Sequence, residues 1–144
     1  MSLAGLTDWG ANPTLEAMIR FAGERQRLIA HNIANISTPN FVQSDLSPGK
    51  FQAQLREAVE RRRKSGDTEP LRLESSEEVT PEEDGTLEFS PENSGGNVLG
   101  HDRNNLDLER LMQDQAENLI VFRQAMDLLR SRSELMRSAL AQRV

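Results

Sequence analysis

Apolar residues recur along the first forty positions at the spacing of one side of an α-helix. Four of them lie seven residues apart and two more fill intermediate positions, so that the stripe consists of Leu15, Ile19, Ala22, Ile29, Ile33 and Ile36. Gln26 interrupts the series with a polar side chain. With Asn12 as N-cap and Pro13 in the first turn, the pattern predicts a helix of ~24 residues, about 36 Å long.

The sequence also predicts where this helix ends. Thr38 precedes Pro39, and a proline disfavours the helical region for the residue before it. Asn40 follows, and asparagine is the residue type after glycine that most readily adopts positive φ. Phe41 then supplies an apolar anchor. These residues predict a sharp turn after the helix.

The last forty residues carry a longer repeat with alternating spacings of three and four. Seven of its nine positions are apolar, and it runs through Met112, Gln115, Leu119, Phe122, Met126, Leu129, Ser133, Met136 and Leu140. This spacing is typical of a coiled-coil seam. Asn104 or Asn105 can cap a helix of ~36 residues that would be ~54 Å long. A compact domain of this size cannot enclose it, so part of the seam must face the first helix or a neighbouring subunit.

A short helix is predicted between the two terminal ones. Ser47-Pro48 has the chemistry of a helix start, and the helix would end in a basic run at residues 61–64. Its apolar side would hold Phe51, Leu55 and Val59. The basic run is interpreted as the solvated end of this helix.

An acidic segment follows the short helix. Residues 67–92 contain ten carboxylates and one arginine, and three prolines interrupt them. Such a composition buries too little apolar surface to offset its ordering entropy, so it predicts a flexible loop with a small hairpin around Asp84-Gly85. The glycines at 95 and 96 predict a further flexible joint.

Together these patterns predict an all-α fold in which long N- and C-terminal helices pair as a coiled-coil hairpin, with a short middle helix and a flexible acidic loop. The chain divides into residues 1–41, which form the first helix and its turn, residues 42–104, which form the short helix and acidic linker, and residues 105–144, which form the C-terminal helix.

Charge and composition exclude several classes of function. The formal net charge of -6 disfavours a nucleic-acid partner, since phosphate binding needs a surplus of Lys and Arg. The absence of cysteine excludes disulfides and thiolate metal sites. The first eleven residues have no basic stretch followed by an apolar one, so no cleavable secretory signal is predicted. Export, if it occurs, would use another route.

No set of residues in the sequence predicts catalysis. The two histidines, His31 and His101, lack neighbouring ligands or nucleophiles, although Asp102 could orient the second imidazole. The acidic run at residues 82–84 lacks the alternating ligands of a calcium loop, and the Ser-Gly-Gly at 94–96 lacks the lysine of a phosphate-binding loop. We therefore predict no catalytic, cofactor-binding or metal-binding residues, no small-molecule substrate and no enzymatic activity.

One stretch is far more specific than these patterns. Residues 28–41 resemble the N-terminal signature of bacterial flagellar axial proteins, in which a helix runs into Asn-Ile-Ala-Asn, then Thr, commonly Pro-Gly, and then an aromatic residue. The matching positions are Asn32, Ile33, Ala34, Asn35, Thr38, Pro39 and Phe41. Asn40 stands where the family usually has Gly, and it is the mildest replacement because it tolerates the left-handed conformation.

The C-terminal helix carries a second resemblance. Residues 105–109 look like the family's Asn-Val-Asp entry into this helix, with Leu106 in place of Val. The motifs at residues 116–118 and 135–140 look closest to those of the proximal basal-body rod. The resemblance covers roughly the first 50 and the last 40 residues, and the acidic middle is not part of it.

The resemblance implies a structural role in motility. Members of the family are exported by the flagellar type III apparatus and assemble helically through their terminal helices into the rod of the basal body, in the periplasmic space. It implies as partners further copies of the chain, other flagellar rod subunits, and the membrane ring with its rod adapter. Another rod subunit with the same N-terminal signature is an alternative. A cytoplasmic coiled-coil adapter or secretion chaperone would explain the helices but not residues 35–41.

Overall fold

A computed structural model describes residues 11–66, 70–82, 84–93 and 103–141 of the chain, with side chains from residue 108 onward in the last range. This part of the chain is mostly helical. Its helices are α1 (Asn12–Asn35), α2 (Pro48–Lys64) and α3 (Arg103–Ala141), and its short strands are β1 (Ser44–Asp45), β2 (Val79–Pro81), β3 (Leu87–Phe89) and β4 (Glu92–Asn93). Helix α3 begins at Arg103, so Asn104 and Asn105 are helical residues and the prediction that one of them is the N-cap is wrong. His101, Asp102 and the glycines at 95 and 96 lie outside the described residues.

Helix α1 has the predicted length but a different N-terminus. The N-cap is Ala11, and no side chain caps the helix. Asn12 is instead the first helical residue, and its buried Oδ1 has no hydrogen-bond partner. The prediction of an Asn12 cap is therefore wrong. Its side chain is buried against the protein rather than turned back over the first turn, where a cap would meet the free N–H groups.

Helix α2 begins as its sequence predicts. The Ser47 hydroxyl accepts a hydrogen bond from the Lys50 backbone N–H at 3.3 Å, and Pro48 occupies the first turn. The start of this helix is thus confirmed.

Phe51 and Leu55 are buried on one side of α2. Its buried side also holds Ala58, whereas Val59 is half-buried, and Arg62 of the basic run is buried and not solvated as predicted.

The main buried hydrophobic cluster lies where α1, α2 and the β2–β3 hairpin meet. The rings of Phe21 and Phe51 stack with their centroids 4.1 Å apart and 4° between their planes. Phe89 from β3 meets the Phe21 ring edge-on at 6.2 Å. The buried residues of this cluster are Ala17, Phe21, Leu28, Leu46, Phe51, Leu55 and Val79. Helix α1 therefore has a second buried face, which the stripe of isoleucines did not predict.

The small hairpin expected around Asp84-Gly85 is present. Strands β2 and β3 pair antiparallel, with Val79 opposite Phe89. Gly85 has φ of 82°, which a turn at this position requires. The Asp84 carboxylate accepts hydrogen bonds from the Thr86 hydroxyl and the Thr86 backbone N–H, and these bonds hold the pKa of Asp84 below its ordinary value. A second two-stranded sheet pairs β1 with β4.

The acidic segment does not stay outside the core, and the prediction that it buries too little apolar surface is wrong. Val79 is almost fully buried in the main cluster, and four more apolar residues of the segment pack against it: Leu71, Leu73, Leu87 and Phe89. These residues are dispersed between the carboxylates, so the average composition conceals them. The mostly helical fold is confirmed, but it is not all-α, because this segment pairs with itself and with β1 in two small sheets.

One carboxylate ties the acidic segment to α2. Buried Glu78 accepts a hydrogen bond from the Ser47 backbone N–H at 2.7 Å and lies 2.8 Å from the Lys50 ammonium. Glu92 lies 3.0 Å from the same ammonium. The hydrogen bonds to Glu78 and then to Glu92 raise the pKa of Lys50 above its ordinary value. Glu78 also places negative charge at the N-terminus of α2, where the helix dipole favours it.

Candidate assembly surface

Helices α1 and α3 pack side by side in antiparallel directions. Arg25 of α1 lies 3.6 Å from the Asp114 carboxylate, whereas Ala22, one turn earlier in α1, accepts a hydrogen bond from Asn118, one turn later in α3. Residues later in α3 therefore contact residues earlier in α1, as in any antiparallel pair of helices. The pairing joins the two ends of the sequence into one hairpin of helices.

The α1 side of this contact coincides with the predicted stripe. Ala22 and Ile29 are each 1% exposed, and Leu15 is also buried. Ile19, Ile33 and Ile36 are half-buried. Gln26, which interrupts the stripe in the sequence, is half-buried and accepts a hydrogen bond from Asn118 at 2.9 Å. The polar interruption thus has a partner 92 residues away in the chain.

The α3 side uses only part of the predicted seam. Phe122, Leu129 and Met136, which belong to it, are half-buried, as is Gln115. The fully buried positions are instead Leu111, Asn118 and Ala125, at 7%, 5% and 1% exposure. This series lies one residue before the predicted series of Met112, Leu119 and Met126. Within the chain, α1 therefore packs on a face of α3 rotated slightly from the expected one.

Two apolar flanks of α3 remain beside this contact. The first flank is formed by Met112, Leu119, Met126 and Leu140 of the predicted seam; Leu119 is half-buried, and the other three are 57%, 44% and 51% exposed. The second flank is formed by Val121, Leu128 and Leu135, which are 38%, 57% and 68% exposed. Each flank repeats every seven residues and lies on the opposite side of the buried series from the other. Helix α3 is thus apolar over three adjacent strips, of which α1 covers one.

The second flank borders an open groove of about 450 Å³ between the three helices. Its apolar lining comes from Met18 and Phe21 of α1, Phe51 and Leu55 of α2, and Val121 of α3. The charged residues Arg56 and Glu117 stand among the lining residues on either side. The apolar surface of the second flank therefore continues into the space between α2 and α3.

The signature residues shape the turn that follows α1. Asn32, which is 1% exposed, donates a hydrogen bond to the Ser44 carbonyl oxygen at 2.8 Å and accepts one from the Ser44 N–H at 3.2 Å. Asn35 donates to the His31 carbonyl oxygen, and the Thr38 N–H donates to the Asn35 carbonyl oxygen at 2.8 Å. Asn32 therefore fastens the returning chain to α1, whereas Asn35 bonds within the end of the helix and to the first residues of the turn.

The remaining signature residues lie on the outside of this turn. Ala34, Thr38, Pro39 and Asn40 are exposed. Phe41 is half-buried, with its ring centroid 5.4 Å from that of His31. The Phe41 N–H donates to the Thr38 carbonyl oxygen at 3.2 Å. The motif thus presents a small, rigid surface beside the end of the hairpin contact.

Asn40 has φ of 59°, which confirms the predicted left-handed conformation. We expect Asn40→Gly to leave the free energy of unfolding nearly unchanged, because glycine adopts this region freely. Asn40→Val should lower the free energy of unfolding by about 1–3 kcal/mol, because a β-branched side chain is strained there. Urea denaturation of the two variants checks this. Equal stability of the valine and glycine variants would contradict a constrained turn.

The buried guanidinium of Arg25 in α1 contacts carboxylates from β1 and α3. The Arg25 guanidinium donates to the two Asp45 carboxylate oxygens at 3.1 and 3.0 Å, and Asp114 of α3 lies 3.6 Å away. The Arg25 side chain is 8% exposed, so these carboxylates offset the cost of burying its positive charge. The closer pair joins α1 to β1, and Asp114 adds a longer ion pair from α3.

The part of the chain that the structure describes lacks two further kinds of feature. It contains no group of three or more His, Asp or Glu side chains placed to hold a metal ion. None of the helices in the described ranges combines the length and apolar character needed to cross a bilayer.

No protein-family model, curated protein or solved structure matches this chain.

Sequence reasoning missed the second flank and the buried series of α3. The spacing of Val121, Leu128 and Leu135 was available as a heptad signal beside the stronger one. The buried series was hidden, because Asn118 and Ala125 do not stand out as interior residues. Gln26 and Asn118 are both polar and face each other. This pairing becomes visible only when α1 and α3 are placed side by side.

Proposed function

We propose that this chain is a structural subunit of the bacterial flagellar basal-body rod, of the proximal rod protein B type. The observation that carries the proposal is the pair of exposed apolar flanks on α3, on either side of the strip that α1 covers. A hairpin buries one strip of each helix, so the two flanks stay in water until further helices pack on them. A subunit that becomes fully packed only within an assembly has this distribution.

The signature turn supports the same proposal from an independent direction. Asn32 of the motif fastens the chain after α1 to that helix, and Asn40 has the backbone conformation for which the family's glycine is suited. The resemblance therefore concerns residues that form a turn of defined shape. Under this proposal the chain is exported through the flagellar type III apparatus and stacks helically with other rod subunits above the membrane ring and its adapter.

Deletion of the gene in its own organism tests the proposal. We expect motility to be lost, and electron cryotomography of the mutant to show membrane rings without a rod. Expression of the intact chain in trans should restore both, and mass spectrometry of purified basal bodies should detect it. Complete rods in the deletion strain, or a chain confined to the cytoplasm as an adapter or chaperone would be, would contradict the proposal.

A further inference from the structure

Helix α3 could in principle offer either of two faces to α1. Both faces share the series of Gln115, Phe122, Leu129 and Met136 and differ only in the series beside it. One choice adds Leu111, Asn118 and Ala125, and the other adds Met112, Leu119 and Met126. The second choice is the more apolar, so burial of hydrophobic surface alone favours it. The structure nevertheless uses the first.

Hydrogen bonds across the contact explain this choice. Asn118 is 5% exposed, and its amide nitrogen donates to the Ala22 carbonyl oxygen at 2.8 Å and to Gln26 Oε1 at 2.9 Å. Both hydrogens of the amide are therefore used. A rotation of α3 that brings Leu119 inward would leave Gln26 against an apolar side chain without its donor. Leaving a polar group unpaired in this way is costly.

We infer that Asn118 and Gln26 select the face of α3 that packs on α1, and so keep Met112, Leu119 and Met126 out of the hairpin. A single polar pair in an apolar helix contact is able to set the alignment of the helices at some cost in stability. The selection itself is a property of the isolated chain. Its use, which is to leave the first flank free for neighbouring subunits, rests on the proposed function.

The methionines of the chain report this choice directly. Met112 and Met126 lie on the face that is kept outside, whereas Met136 lies on the series shared by both faces. Oxidation of methionine by dilute hydrogen peroxide depends on its exposure and can be followed for each peptide by mass spectrometry. The protein is kept at a concentration at which light scattering shows a monomer, so that no neighbouring subunit protects the flank.

In Asn118→Ala the buried series loses its hydrogen bonds and the alternative face becomes favoured. We expect Met112 and Met126 to become protected, while Met136 keeps its rate. If exposure of Met112 falls from 57% toward the 7% now found at Leu111, its oxidation slows roughly eightfold. Gln26→Leu should produce the same protection, because an apolar side chain at position 26 favours packing against Leu119. Gln26→Glu retains an acceptor for Asn118 and should keep the wild-type pattern.

Gln113→Ala is the matched control, because the Gln113 amide donates to Glu117 Oε1 at 2.9 Å within α3 and lies on neither of the two faces. Its oxidation pattern should equal that of the wild type. Folded Asn118→Ala with unchanged rates at Met112 and Met126 would overturn the inference. Loss of helical circular dichroism in both Asn118→Ala and Gln26→Leu would overturn it as well, because the pair would then stabilise the helices without selecting a face. These outcomes do not depend on rod assembly, so they separate this inference from the proposed function.

Discussion

Met126→Asp is expected to abolish rod assembly while leaving the monomer folded. Met126 is 44% exposed on the first flank, so an aspartate there remains in water in the free chain. If a neighbouring helix covers the flank in the rod, the same carboxylate enters an apolar contact without a partner. Burying such a carboxylate costs roughly several kcal/mol, which offsets most of the free energy gained when a neighbouring helix packs on the flank. Swimming in soft agar and rods in isolated basal bodies measure the effect in the complemented deletion strain.

Ile120→Asp provides the matched control. Ile120 is 56% exposed and lies on the side of α3 away from both flanks and from α1. The substitution introduces the same charge at a similarly exposed apolar site on the same helix, and we expect it to swim normally. Circular dichroism and equal protein levels must show that both variants fold and accumulate. Normal swimming of Met126→Asp would show that the first flank is not an assembly contact. Equal loss in Ile120→Asp would show that assembly does not distinguish the flanks from the back of α3.

Phe21→Ala is expected to produce the largest loss of stability in the chain. The Phe21 ring is buried between the Phe51 ring, stacked at 4.1 Å, and the edge of the Phe89 ring. Its removal leaves a cavity where α1, α2 and the hairpin meet, and a buried Phe→Ala substitution costs about 3–5 kcal/mol. Urea denaturation followed by circular dichroism measures the free energy of unfolding.

Phe41→Ala is the comparison for this effect. The Phe41 ring is half-buried and contacts His31 at the rim of the signature turn, so its loss should cost about 1–2 kcal/mol. The difference between the two variants separates burial in the core from loss of an aromatic ring as such. Similar losses for the two variants would mean that the stack between α1 and α2 is not the centre of the fold.

Features decided within a few neighbouring residues could be predicted from the sequence. The length of α1 and its apolar stripe follow from periodicity, and the start of α2 follows from the Ser47 hydroxyl and Pro48. The positive φ of Asn40 and the hairpin around Asp84-Gly85 follow from local turn chemistry. Each of these depends on contacts within one turn of the chain, so the sequence contains the whole cause.

Only the tertiary structure decided which surfaces meet. A heptad pattern locates a stripe on α3, but where neighbouring strips are all apolar it does not say which of them a partner covers. Asn118 resolves this through hydrogen bonds to Ala22 and Gln26, almost a hundred residues earlier. The acidic segment likewise joins the core because Val79 fits beside the Phe21 cluster and Glu78 finds the Ser47 N–H and Lys50. These contacts join residues that are far apart in the chain, so no local sequence pattern could have predicted them.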